Sequence, residues 1–456
     1  MKNVYSLKND VYPLVRLALP LALTGMVQSA TFFFETVFLA RLGEQSLAAG
    51  ALVSWFFGVL VVILFGILGS INILVAHRHG SNDRDGIALV ARDGLILAVL
   101  IAIPSTLLVW NISPIFLLFG QPETVVALVK PYLQALSYGL IADLVAMACL
   151  EVIIGVGHAR VILIFSILTV VMNIFFSYVL IFGKFGFPAL GIAGAGWGMT
   201  VSYWGTLIAL VVFIIANENY RKYFRHIFKL EKTFYLVELF QIGIPMGVMY
   251  SVEVGFFFAL TLAMGVLGTE IQAANQVALQ YLGLMMSIIF AVAQAITVRM
   301  GHLLGAKEYM AAEKASYIGV GIAVAFISII SVIYLVLPEA LISVDFDVYD
   351  PKNAVIVNEI KTLLAIGALF QIFETARIAL FGSLRSLKDT RFTMLASILS
   401  FWGIALPVGY LLAFRLQIGG AGFWWGMVVG AAVSVVLLQW RFRLKMKRYI
   451  NMAYVN

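Results

Sequence analysis

The sequence predicts an all-α polytopic membrane protein: twelve transmembrane helices arranged as two parallel six-helix repeats around a central cavity. Composition, the placement of positive charge and an internal duplication predict it. Of the 456 residues, 62% are apolar and only 12% charged, with a mean hydropathy of +1.01. A soluble domain carries about 25% charged residues. Half that fraction cannot clothe a water-facing surface, so lipid is the solvent for most of the chain. A soluble enzyme, a disulfide scaffold and a disordered chain are excluded. The single cysteine, Cys149, lies in an apolar run, which rules out an intrachain disulfide and a Cys-based metal site.

A helix crosses the hydrocarbon core with about 20 mainly apolar residues, because its backbone polar groups must be satisfied internally. Stretches of that kind lie near 12–38, 49–76, 94–116, 130–154, 161–182, 192–216, 234–265, 273–298, 316–338, 358–381, 393–414 and 421–440. Residues 2–11 hold Lys2, Lys8 and Asp10 and lack a small-residue cleavage motif, so the first span is read as retained rather than removed as a signal peptide.

Charge tests the count independently, since cytoplasmic loops carry the excess of Lys and Arg. With the N-terminus inside, the inner segments hold Lys2, Lys8, Arg16, Arg78, Arg84, Arg92, Arg160, Arg221, Lys222, Arg225, Lys229 and Lys232. They continue with Arg299, Lys307, Lys314, Arg385, Lys388, Arg391, Arg441, Arg443, Lys445, Lys447 and Arg448. The outer loops receive Arg41, Lys130, Lys184, Lys352, Lys361 and Arg415, and Arg377 stays within a span. A missed helix would scramble this alternation. The expected protein is therefore a multi-pass membrane protein with both termini cytoplasmic. The same placement accounts for the net charge of +7 without any nucleic acid partner.

The longest basic inner loop falls between spans six and seven, which prompts a search for repeats. A shift of 225 residues sets Pro20 on Pro245, Phe32-Phe33 on Phe257-Phe258, Leu42-Gly43 on Leu267-Gly268, Ala48-Ala49 on Ala273-Ala274, Gly58 on Gly283, His77 on His302 and Gly80 on Gly305. At 228, Gly191, Gly194, Trp197 and Gly198 fall on Gly419, Gly422, Trp425 and Gly426. A shift by an even number of spans preserves orientation, so the halves are parallel repeats. The expected organisation is a lobe over 1–216, a cytoplasmic linker over 217–233 and a second lobe over 234–456. Two such lobes rocking about a shared cleft are the physical basis of alternating access; a duplicated scaffold without transport is the bland reading.

On these residues the chain resembles the multidrug and toxic compound extrusion (MATE) family. The stretch Phe182-Gly183-Lys184-Phe185-Gly186-Phe187-Pro188-Ala189-Leu190-Gly191 is similar to its NorM-type branch. So are Ala274-Asn275-Gln276-Val277-Ala278-Leu279 and Gly382-Ser383-Leu384-Arg385 leading to Lys388-Asp389-Thr390-Arg391. The resemblance runs from about Leu14 to Arg441. Small-residue strings recur in many helix bundles; the weight comes from their combination with the repeat and the topology.

A charge at the bilayer centre costs about 2.5–3.5 kcal/mol on insertion scales, so intramembrane charges mark candidate sites. Glu35, Asp143, Glu151, Glu253, Glu374 and Arg377 lie well inside spans. Acids outnumber bases, so protons, metal cations or cationic substrates are expected to supply the balance. Glu253, on span seven after Pro245, reads either as a carboxyl bonded to a neighbouring Ser or Gln or as a cation ligand. The resemblance places it at the family's span-seven acidic position, implicated in cation binding. Glu374 fits the family's acid eleven residues before the Arg of the Gly-x-Leu-Arg motif, here Arg385, where Asp is usual. Glu374 also stands three residues from Arg377 on one helical face, so a cation ligand and an ion pair with Arg377 both remain open; in the latter, Arg377 substitutes internally for the cation. With sodium coupling, Glu253 and Glu374 would be the metal ligands.

Glu35, in Phe32-Phe33-Phe34-Glu35-Thr36, matches a position where many family members have Asp and where protonation accompanies bending of span one; the alternative is snorkelling to the outer face. Pro20 is the candidate hinge, since proline removes a helix hydrogen bond. Asp143 on span four is a further coupling candidate, and Glu151 a doubtful one that reaches toward His158 or Arg160. The Asn–Asp pair of the family's DinF-like branch is represented here by Asn173 and Ser177, which weakens an acid-based cation site in the first lobe. Tyr250, Phe257, Gln276, Gln280, Gln371 and Arg377 are the candidate lining of a substrate cavity, with Asn275 and Trp55 nearby, although amides serve equally as interhelical glue. Aromatics beside acids form cation–π walls for flat organic cations, while most membrane aromatics simply pack.

No P-loop, His-Glu-x-x-His or nucleophile elbow occurs, and His77, His79, His158, His226 and His302 sit at cytoplasmic ends or loops. The expected protein is not an enzyme and needs no cofactor beyond Na+ or H+ as coupling ion. It exports organic, cationic or amphipathic compounds by cation-coupled antiport and works as a monomer among membrane lipids. The alternative is a flippase for lipid-linked oligosaccharides or lipids, a role that favours a basic cavity over these acid-rich spans.

Overall fold

The computed structural model describes residues 7–227 and 232–455, without the side chains of residues 7–10 and 452–455. Lys2 and Lys229, and the side chain of Lys8, therefore lie outside the described residues. No strand occurs among the described residues, and twelve helices are long and apolar enough to cross a membrane. Spans one to six are Val11–Ala40, Glu44–Gly80, Arg84–Asn111, Glu123–Gly155, Ala159–Phe182 and Ile192–Ala216. Spans seven to twelve are Leu236–Leu267, Thr269–Gly305, Tyr309–Val336, Pro351–Ser386, Thr390–Arg415 and Gly420–Asn451. Several overrun their apolar cores: the eighth extends through polar ends on both sides of the predicted 273–298. Span one runs through Pro13 and Pro20 as one helix, Leu7–Ala40.

Span two breaks at Gly69 into Glu44–Leu68 and Ser70–Gly80. The Ser70 hydroxyl donates to the Ile67 carbonyl at 2.8 Å, a side-chain bond that competes with the helix ladder at a Gly-Ser pair. Span eleven alternates registers: α-helical over Thr390–Ser397, π-helical over Ile398–Ala405, α-helical over Leu406–Tyr410 and π-helical over Leu411–Arg415. Pro407 inside it supplies no backbone N–H. A π segment delays the helix by part of a turn and re-aims the side chains after it.

The duplication is visible in the backbone. Left-handed dihedrals recur at equivalent places: Gly43 (φ 112°) and Gly268 (φ 142°), Asn82 (φ 56°) and Lys307 (φ 64°), Gly191 (φ 57°) and Gly419 (φ 72°). The helix contacts repeat as well. A Cβ on Gly194 would stand 2.6 Å from the Ile181 nitrogen, and one on Gly198 2.6 Å from the Ser177 Cα. A Cβ on Gly422 would stand 2.5 Å from the Ala413 nitrogen, and one on Gly426 2.4 Å from the Ala405 oxygen. In each half a Gly-x-x-x-Gly pair thus lets the last span press on the backbone of the one before it.

The chain divides into two compact units, one formed by 23–247 and the other by 1–22 with 248–456. In the first, the leading half of span seven belongs to the core through Leu239, Ile242 and Met246. Its start is capped from span three: Asp93 accepts from the backbone N–H groups of Phe234 (2.8 Å) and Tyr235 (2.6 Å), while Arg92 bonds Asp93 (3.0 Å) and the Lys232 carbonyl (3.0 Å). These bonds satisfy helix N-terminal donors that would otherwise be orphaned. The second unit is built around Phe256, Leu260, Phe370, Phe401, Phe423 and Trp424.

Candidate functional site: a guanidinium between two carboxylates

Within the second unit, spans seven, ten and eleven bring three intramembrane charges together. Arg377 is 0% exposed and Glu253 7%. The guanidinium donates from Nε to Glu374 Oε2 at 2.7 Å and from Nη2 to Glu374 Oε1, a two-pronged pair within one helix. From Nη1 it donates to Glu253 Oε1 at 2.7 Å and to the Ser397 hydroxyl at 3.2 Å. That hydroxyl in turn donates to Glu253 Oε1 at 3.0 Å. Two rings complete the enclosure: the Arg377 Cζ lies 4.6 Å from the Phe381 ring centroid and 4.7 Å from that of Phe401.

Each part has a local origin. Glu374, Arg377 and Phe381 are spaced three and four apart, so one face of span ten carries all three. Ser397 ends the α-helical turn of span eleven, and the π segment after it carries Phe401 to the guanidinium. Charge-assisted, bidentate hydrogen bonds satisfy the buried arginine, and the ring faces add cation–π attraction. With all three groups ionised the cluster carries one net negative charge, which a single proton or monovalent cation neutralises.

For Glu374 the structure takes the ion-pair alternative, and Glu253 joins the same arginine. The two carboxylates thus share a single built-in cation. Arg377, expected to line a substrate cavity, is instead wholly enclosed. Among the described residues no group of three or more His, Cys, Asp or Glu side chains is placed to hold a metal ion. Sequence reasoning missed Ser397, Phe381 and Phe401. The i,i+4 spacing from Arg377 would have found Phe381.

The remaining candidates scatter. Tyr250 is buried and accepts from Arg385 Nη2 at 2.8 Å; Phe257 is half-buried, packed 6.1 Å from the Phe401 ring. Gln371 is fully buried, its Nε2 donating to the Leu282 carbonyl at 3.4 Å, and Gln276 and Gln280 are exposed. Asn275 accepts from the Trp424 indole at 2.9 Å, which is the glue role. Glu151 accepts from the Asn72 amide in the other unit.

Glu35 lies in the first unit, 5% exposed, with neither carboxyl oxygen hydrogen-bonded among the described residues. It does not snorkel. Asp143 is half-buried on span four, and Tyr203 of span six lies within electrostatic range of both Asp143 and Glu35. Asn173 and Ser177 are buried in the same unit. Glu253 and Glu374 thus meet at Arg377, whereas Glu35 and Asp143 belong to the other unit.

The MatE family model matches residues 20–179 and 245–411, one stretch from each half of the repeat. The multidrug resistance protein NorM of Burkholderia vietnamiensis is 36% identical over 443 residues, covering 96% of this chain and 95% of that protein. A probable multidrug resistance protein NorM of Pseudomonas putida is 33% identical, covering 98% and 97%. Among solved structures, a MOP superfamily transporter from Pyrococcus furiosus superposes with a TM-score of 0.84 at 18% identity, covering 96% of each chain. The eukaryotic MATE transporter AtDTX14 gives 0.82 at 20%, covering 97% and 98%; at such identities the likeness speaks for the fold. With both halves matched and near full-length relatives above 30% identity, this chain belongs to the MATE family, in its NorM-like branch.

Proposed function

We propose that this protein is a secondary active multidrug exporter that couples the entry of a cation, Na+ or H+, to the exit of organic cationic or amphipathic compounds by alternating access. The observation that carries the reading is the unbalanced charge of the buried cluster: two carboxylates, Glu253 and Glu374, share one guanidinium. A buried, uncompensated charge is costly, so the cluster favours uptake of one positive charge. Ions or cationic substrates that bind it with different affinity in two conformations shift the balance between them. Glu35, with neither oxygen hydrogen-bonded among the described residues, supplies a second place where a proton or cation is stabilising. The names of the NorM relatives agree with export of drugs. In this reading the protein works as a monomer in a bacterial cytoplasmic membrane with both termini inside, and it performs no catalysis.

Reconstitution into liposomes with a fluorescent cationic dye tests the proposal. Dye movement against its gradient should start when an inward cation gradient is imposed and stop when the gradient collapses. Dye flux that ignores both Na+ and proton gradients would refute coupling.

A further inference from the structure

We propose that Arg377 is a tethered cation occupying the place a metal ion would take between Glu253 and Glu374, so that this pair excludes Na+ and takes up a proton instead. The inference rests on the coupled-transport reading and names its ion.

Sodium needs several oxygen ligands converging from different directions. Here the inward oxygens are already taken: both Glu374 oxygens face Nε and Nη2, while Glu253 Oε1 and the Ser397 hydroxyl face Nη1. The remaining faces of the guanidinium are covered by the Phe381 and Phe401 rings. A metal ion would have to expel a fully buried arginine bonded to both carboxylates, leaving a buried charge unpaired. A proton needs only one carboxylate oxygen and leaves the guanidinium in place. Protonating Glu253 leaves Arg377 its two-pronged bond to Glu374, and the cluster becomes neutral.

The surrounding charges do not change this balance. Span seven contributes Glu253, span ten Glu374 and Arg385, and span eleven the uncharged Ser397 and Phe401. Spans eight, nine and twelve pack on span ten. Their charged side chains lie toward their ends: Glu270, Arg299 and His302; Glu313 and Lys314; Arg441 and beyond.

Removing the guanidinium should therefore create a sodium site. In Arg377→Gln the two carboxylates, the Ser397 hydroxyl and the new amide oxygen surround an uncompensated charge. Radioactive sodium binding to the purified full chain in detergent decides the matter. Wild type and Glu253→Gln should bind sodium equally. Arg377→Gln should gain a saturable site at least about tenfold tighter than any in wild type, and Glu253→Gln in that background should abolish it. Arg377→Lys, which retains a cation, should gain none. Wild-type sodium binding that Glu253→Gln removes would overturn the proposal, as would a folded Arg377→Gln that gains nothing. If Arg377→Gln fails to fold, the wild-type comparison with Glu253→Gln still decides. These are binding measurements, so loss of dye transport would count against the exporter reading without touching this one.

Discussion

Arg377 and Glu35 represent opposite treatments of a charge in lipid, and they respond differently to substitution. Arg377 is bonded to two carboxylates and enclosed by two rings. Replacing it with Met strands both acids and should lower stability by about 3–5 kcal/mol, read from thermal unfolding in detergent. Glu35 has neither oxygen bonded among the described residues, so its burial costs desolvation without return. Glu35→Met should raise stability by on the order of 1–3 kcal/mol while impairing gradient-driven export; a lower melting temperature would show that Glu35 has a structural partner. The sequence makes the acids legible because lipid makes them costly, and it makes the Glu374–Arg377 pair legible because both lie on one helical face. Glu253 as the second partner was not legible, since contacts between spans depend on rotation about each helix axis. Phe401 was hidden further, because its approach to Arg377 follows a π segment that breaks the 3.6-residue period.

At the level of helices, small residues set how closely spans approach. Gly198 and Gly426 each face the backbone of the preceding span at distances no side chain tolerates. Gly198→Leu and Gly426→Leu should each destabilise by about 1–3 kcal/mol or more. Gly58 and Gly283, equally matched by the repeat, have open space where a Cβ would go. Gly58→Ala and Gly283→Ala should be tolerated, with a gain of about 0.5–1 kcal/mol from helix propensity. Unfolding of all four variants in detergent separates the two classes; loss of stability in the alanine variants would mean that the repeat reflects another constraint. The spans themselves are legible from hydropathy. Their true lengths are not, because helices continue past the apolar core on polar residues. The break at Gly69 and the π turns of span eleven come from local hydrogen bonding that an apolar count does not register.

For the molecule as a whole, the duplication was readable as sequence offsets and returns as paired left-handed turns and paired glycine contacts. The composition of the compact units was not readable: residues 1–22 group with 248–456, and the leading half of span seven with 23–247, a matter of packing rather than chain order. The proposed orientation follows from the charge pattern and is checked by cysteine labelling, with the buried Cys149 giving little background. Arg225→Cys and Lys445→Cys should react with an impermeant maleimide only in inverted vesicles, and Lys352→Cys only in right-side-out ones; the reverse pattern would overturn the topology. The most direct test of coupling through buried acids is dye export by Glu253→Gln in liposomes under an imposed cation gradient. A folded variant with no gradient-driven export is the expected result, and export at the wild-type rate would contradict the mechanism.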